Sequence, residues 1–205
     1  MRDIRDEQPD GGVRARIEGR LGRARLPLQV DIGFGDVVTP EREERDYPTL
    51  LDLPAPRLWT YPRETLVAEK FDAMVSRGMT NTRVKDLWDI ACLARRFRFD
   101  GETLRTAIEE TLRRRQTPLA GERPAALTPG YYLDATRAQR WRVLQQQIGA
   151  SADGPALLAD AGEELLRFLG PVCDSLIGGG SFRQGWSAAG PWRLGTGPPG
   201  GGGGA

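Results

Sequence analysis

An α+β fold is predicted for this chain from three observations. Apolar residues alternate with a period of two near the start, recur at helical spacing in the longer stretches that follow, and give way to Gly, Pro and Trp at the end. The 205 residues are enough for one substantial domain, or one domain plus a tail. The expected layout is a set of strands over residues 1–60, a helical lobe over 61–175 and a disordered Gly/Pro-rich tail over 176–205.

The strands come first. Over residues 13–35 Val13, Ala15 and Ile17 alternate with Arg14, Arg16 and Glu18, and Leu26, Leu28, Val30 and Ile32 alternate with Pro27, Gln29 and Asp31. That pattern predicts a β-hairpin turning at Gly19 to Gly22. Pro27 has no N–H to give a ladder, so its position is expected at an edge or bulge. The mixed-charge run 41–46 is expected to be a solvated loop. The proline-punctuated stretch 48–56 has room for one short extended segment, and Trp59 and Tyr61 lead into the first helix.

That helix is expected over 62–77, with Leu66, Val67, Phe71, Met74 and Val75 on its apolar stripe. Pro62 suits a first helical position, Glu64 suits the positive first turn, and Gly78 closes the helix. Asn81 or Thr82 caps a second helix over 82–97, which buries Val84, Leu87, Trp88, Ala91 and Ala94. A third helix over 102–115 carries Leu104, Ala107, Ile108 and Leu112 on one face. Further helices are expected over 134–148 (Trp141, Leu144, Ile148) and 155–169. From Gly178 the composition offers too little apolar surface to offset the entropy of ordering the chain.

Composition excludes several chemistries. The sequence has no histidine, so neither a Ser-His-Asp or Cys-His nucleophile nor a His-ligated zinc site is available. Acid–base or metal chemistry must run on carboxylates and lysines, which suit hard cations such as Mg²⁺. Lys plus Arg number 29 against 28 Asp plus Glu, so no global field draws the chain to nucleic acid, and any such contact must come from a local patch. Arg95, Arg96, Arg98 and Arg113 to Arg115 form the basic clusters; without interleaved aromatics they read as solvated faces. No apolar run is long enough to span a bilayer and the N-terminus has no signal-peptide core, so a cytoplasmic location is expected. Cys92 and Cys173 have no metal-ligand spacing and read as two buried thiols.

The residues that suggest chemistry centre on Lys70. At about 100° per residue it falls between Leu66 and Met74, near the middle of the apolar stripe. A charge there is costly unless an opposite charge meets it. The next helix opens with Arg83-Val84-Lys85-Asp86-Leu87-Trp88-Asp89 and supplies carboxylates. Asp86, beside the helix N-terminus, is positioned to meet Lys70 or orient a substrate. Lys85 and Asp89 stand one turn apart and form at least a simple pair worth about 0.3 kcal/mol. A lysine with a buried stem and converging acids is what a phosphate-handling site requires; a lysine that snorkels or bridges structurally to an acid is the alternative. Asp31 ends its strand on the polar side, followed by Gly33 and Gly35, and is either a ligand or an aspartate paired to an arginine. Asp36 reads as a turn or capping residue and Glu69 as structural.

Three blocks in this order, Leu28-Gln-Val-Asp-Ile-Gly-Phe-Gly-Asp36, Tyr61-Pro-Arg-Glu-Thr-Leu-Val-Ala-Glu-Lys-Phe71 and Asn81-Thr-Arg-Val-Lys-Asp-Leu-Trp-Asp89, resemble the nucleotidyltransferase toxins of the abortive-infection AbiEii/AbiGii type. The resemblance covers roughly residues 12–135. It implies the later part of a nucleotidyltransferase-fold mixed sheet followed by a helical C-terminal lobe. It also implies transfer of a nucleoside monophosphate from an NTP, with Mg²⁺, to an acceptor such as tRNA, and a cognate antitoxin as partner. Under it Asp31, Lys70 and Asp86 are the catalytic residues, with Asp31 also the metal ligand. Lys70, Arg83 and Lys85 contact phosphate or nucleic acid, and Asp89 supports them. The family's first motif, a Gly-Ser or Gly-Gly pair followed by Asp-x-Asp, is expected upstream of residue 1, and the chain as given is expected to be inactive or nearly so. The rival expectation is a non-catalytic module that binds an antitoxin or a missing N-terminal half.

Overall fold

The structure, a computed structural model, describes residues 2–4, 12–149 and 154–194. The fold is α+β, and every strand pair among the described residues is antiparallel, so no parallel pair of the expected mixed sheet lies within them. The chain divides into two compact units at Val37/Val38, whereas the sequence suggested a boundary near residue 60.

The first unit holds β1 (Arg2–Ile4), β2 (Gly12–Leu21) and β3 (Ala24–Gly33) in the order β1-β2-β3. The turn is Gly22-Arg23, later than expected: Gly19 stays in the ladder opposite Leu26, and Gly22 takes the positive φ (+60°) that a two-residue hairpin turn demands. Among the described residues β3 pairs with β2 alone, so Pro27 lies on an edge strand as its missing donor requires. The register sorts the two faces. Ala15 opposes Val30 and Ile17 opposes Leu28, while Arg14 opposes Asp31 on the other side. The apolar face is bare: Ile17, Leu28, Val30 and Ile32 are all exposed.

The second unit opens with β4 (Glu43–Asp46) and β5 (Arg57–Thr60), a two-stranded sheet in which Glu43 opposes Thr60. The charged run expected to be a loop is therefore a strand. Its charges are cross-strand partners, Arg57 standing 2.9 Å from Glu44, and Arg42 covers the Trp59 ring. The helices follow: α1 (Arg63–Arg77), α2 (Val84–Arg96), α3 (Gly101–Arg114), the single turn α4 (Pro129–Tyr132), α5 (Ala135–Ile148) and α6 (Leu158–Ile177). Asp100 and Asp134 cap α3 and α5 by accepting from the Thr103 and Arg137 backbone N–H groups at 2.8 Å. α6 continues through Pro171, past the expected end at 169, because Val172 and Cys173 prolong the buried stripe of Leu165, Phe168 and Leu169.

The core forms where α1, α2, α3 and α6 meet, around Phe71, Leu87, Ile90, Leu104, Ile108 and Leu165. Buried among the helices is Arg137, which the sequence offered only as a polar helix residue. Its guanidinium donates to the backbone carbonyls of Met79, Asn81 and Tyr131 and lies 3.8 Å over the Tyr131 ring. The turn between α1 and α2 is thus fixed from behind. Asn81 Oδ1 then accepts from the Arg83 N–H at 3.0 Å and sets the start of α2.

The expectation of a disordered tail from residue 176 fails over 178–194; residues 195–205 lie outside the described ones. A short strand β6 (Phe99–Asp100) pairs with β7 (Gln184–Trp186), which pairs with β8 (Trp192–Leu194). Phe182 and Trp186 are buried, and with Phe99, Phe168 and Trp192 they form an aromatic cluster. Indole N–H groups anchor it, Trp186 to the Ala94 carbonyl at 2.7 Å and Trp192 to that of Phe168 at 2.8 Å. Glycine is needed for this close packing. A Cβ at Gly101 would meet the Phe182 and Gln184 carbonyl oxygens at 2.6 Å, and one at Gly190 (φ +76°) would meet the Trp186 ring at 2.5 Å. Composition read as disorder is here the means of bringing backbone and indole together.

Truncation of this cluster by Trp186→Ala should lower the unfolding free energy by about 3–5 kcal/mol in urea titration; a change under about 0.5 kcal/mol would mean that the segment does not dock. Glutamate at Leu28 and Val30 together should reduce binding of the dye ANS by the native chain, and unchanged fluorescence would mean that the β2–β3 face is covered in solution.

Candidate functional site

Lys70 sits one step outside the buried arc of α1 rather than at its middle. Val67, Ala68, Phe71 and Met74 are fully buried, while Leu66, on the far side of Lys70, is 38% exposed. The lysine therefore lies along the edge of the core and reaches over to α2. Its ammonium donates to Asp86 Oδ1 at 3.0 Å and to Asp89 Oδ2 at 2.7 Å. The two carboxylates are three residues apart on one helix, so they occupy neighbouring positions on a single face. Lys85 adds a second cation to Asp89, at 2.8 and 3.0 Å. Arg83 Nε stands 2.9 Å from Asp86 Oδ2, but its N–H is not aligned on that oxygen, which is buried without a hydrogen bond.

Burial alone would lower the pKa of Lys70, but its hydrogen bonds to Asp89 and Asp86 outweigh that and hold it above the ordinary lysine value. The side chain is therefore a fixed cation, not a base. An ammonium has three N–H donors, and two are engaged here. Beside it opens a cavity of about 300 Å³ whose polar wall is Lys70, Asp89 and Arg96 and whose apolar wall is Leu66, Leu93 and Phe97. Burial pushes the Cys92 thiol on the same wall upward, away from thiolate. Two cations at an apolar-sided cleft can hold an anionic, partly planar ligand, and phosphate esters of a nucleoside fit that description.

Five of the residues singled out in the sequence, Lys70, Arg83, Lys85, Asp86 and Asp89, come together on α1 and α2. Asp31 belongs to the other unit. There the Arg14 side chain opposite it donates to both its oxygens at 2.7 and 2.9 Å, and Gln29 donates to Oδ2 at 3.1 Å. The hydrogen bond from Arg14 is the main cause that holds the Asp31 carboxyl below the usual carboxylate range. Mg²⁺ at Asp31 would have to displace that guanidinium. Among the described residues no three Asp, Glu, Cys or His side chains gather where one ion could be held, so these residues by themselves form no cage for Mg²⁺.

Sequence reasoning read Arg96 as part of a solvated face, whereas it lines this cavity, and missed the cavity's apolar wall. The signal was present as helical spacing, since Asp89, Cys92, Leu93 and Arg96 follow one another along one face of α2. Both cysteines are free and buried, and among the described residues no helix is long and apolar enough to cross a membrane.

Comparison with known proteins gives one family. The family model described as Nucleotidyl transferase AbiEii toxin, Type IV TA system, matches residues 2–160, a span that includes Asp31, Lys70, Asp86 and Asp89. No curated protein and no solved structure matches the chain. With strands, lysine helix and acidic helix all inside the matched span, the chain belongs to the nucleotidyl transferase AbiEii toxin family of type IV toxin–antitoxin systems.

Proposed function

We propose that this chain serves a nucleotidyl transfer in which a nucleoside monophosphate passes from an NTP to an acceptor such as tRNA, and that the NTP phosphates bind at Lys70. The observation that carries the reading is the Lys70 ammonium, gripped by Asp86 and Asp89 at the edge of a cleft it shares with Arg96. A cation held in advance needs no reorganisation when an anion arrives, which is how positioned charges favour phosphoryl chemistry. In this reading Lys70 and Arg96 contact phosphate oxygens, Asp86 and Asp89 orient the lysine, and Arg83 and Lys85 pair with those acids while adding to the local cationic field. The apolar wall of Leu66, Leu93 and Phe97 receives the less polar part of the nucleotide.

Mg²⁺ is the metal that the family resemblance leads one to expect, and the carboxylates of Asp31, Asp86 and Asp89 are engaged by Arg14, Lys70, Arg83 and Lys85. The sequence also contains no Asp-x-Asp pair. We therefore propose that the chain by itself binds nucleotide with little or no transfer. A second reading, a module that binds a protein partner such as an antitoxin, is favoured by the bare apolar face of Ile17, Leu28, Val30 and Ile32.

Lys70→Ala should weaken binding of labelled NTP at least tenfold by equilibrium dialysis, and unaltered affinity would remove the nucleotide from this site. Incubation of the chain with tRNA, labelled NTPs and Mg²⁺ should give no label above background, and robust labelling would overturn the proposal that it lacks activity alone. The lysine also has a pH signature. Its folded pKa is raised, so its contribution to stability is complete below the ordinary value of 10.5 and is lost as pH rises through the higher folded value. The gap in urea midpoint between the natural chain and Lys70→Gln should stay level from pH 7 to about 10 and narrow above it; a gap that widens there would contradict the ion-paired lysine.

A further inference from the structure

A second cavity, of about 340 Å³, lies at the other side of Arg96. Arg95 and Arg96 from the last turn of α2 and Arg167 from α6 line it, with Glu164, while the docked C-terminal segment closes it through Trp186 and Ala189. Glu164 is the one carboxylate among these lining residues, and Arg95 engages it. Glu164 accepts from Arg95 Nε at 2.8 and 2.9 Å and again from its terminal nitrogen. Arg167 has no hydrogen-bond or ion-pair partner among the described residues. Arg96 lines both this cavity and the one beside Lys70. Cys92, between them on α2, senses charge from both, being influenced by Asp89 as well as by Arg95, Arg96 and Glu164.

We propose that this cavity is an anion subsite that takes a phosphodiester of a polynucleotide acceptor, beside the nucleotide held at Lys70. The proposal rests on the transferase reading given above. Guanidinium groups match phosphate oxygens with paired donors, and the C-terminal segment makes a walled recess of what the sequence offered only as a run of arginines. A near-neutral chain has no long-range field to gather nucleic acid, so a local guanidinium without a counter-ion among the described residues, that of Arg167, is where a backbone phosphate is held. Because Arg96 lines both cavities, this recess adjoins the Lys70 cleft.

The test compares two ligands on the full chain and on Arg167→Glu, Arg167→Lys and Lys70→Ala. Arg167 is exposed, so its variants keep the fold, which circular dichroism checks. Fluorescence anisotropy with a labelled short single-stranded RNA should give at least tenfold weaker binding for Arg167→Glu, with a salt dependence reduced by about one ion, and near-natural binding for Arg167→Lys. NTP affinity by dialysis should stay within about twofold in both. Unchanged RNA affinity in Arg167→Glu overturns the subsite and leaves the transferase reading standing. Unchanged NTP affinity in Lys70→Ala sinks that reading instead. Displacement of RNA by inorganic phosphate beyond that caused by chloride at equal ionic strength would reassign the cavity to a small free anion and overturn the polynucleotide assignment.

Discussion

The contact between the Lys70 ammonium and the paired carboxylates of Asp86 and Asp89 joins two helices at the rim of the core, and much of the second unit is arranged to hold it. α1 brings the lysine to the edge of its buried arc, where the aliphatic stem packs and the charge stays near solvent. α2 brings both acids on a single face. Charge on this scale is tolerated at the border of an apolar core because every ion has a counter-ion within hydrogen-bond reach, with Arg83 and Lys85 completing the set. Burying the group deeper would raise the desolvation cost, and moving it outward would let water screen the interaction.

Behind that contact stands Arg137. A fully buried guanidinium that donates to backbone carbonyls works through position more than through charge, since the carbonyls of Met79 and Asn81 belong to the turn from which α2 departs. The side chain of Asn81 then starts the helix, and five residues beyond it the helix presents Asp86. The line from α5 to the site runs through hydrogen bonds to main-chain atoms. No sequence pattern marks such a role, because any helix carries arginines and the acceptors are carbonyls that every residue possesses.

What was legible in the sequence was whatever depends on local period. The hairpin with its alternating faces, the five long helices and the convergence of Lys70 with Asp86 and Asp89 all follow from spacings of two, three and four residues. What was hidden depends on tertiary approach. The strand at Glu43–Asp46 exists because Arg57–Thr60 comes alongside it, and a run of alternating charges has no apolar signal to announce that partner. Gly and Trp after residue 178 looked like unstructured composition, yet the glycines admit backbone and ring at distances a Cβ would forbid, and the indoles fill a gap between α2, α3 and α6. Asp31 was recognised as an aspartate that is either a ligand or paired to an arginine, and which arginine was hidden because the turn at Gly22-Arg23, later than expected, sets Arg14 opposite it.

Asp86 and Asp89 ride on the same rigid rod. A slide of α2 along its axis by one residue's rise, about 1.5 Å, shifts both oxygens relative to the amine in one stroke, so the clasp cannot loosen by halves. Both hydrogen bonds to the amine thus depend on the placement of one helix.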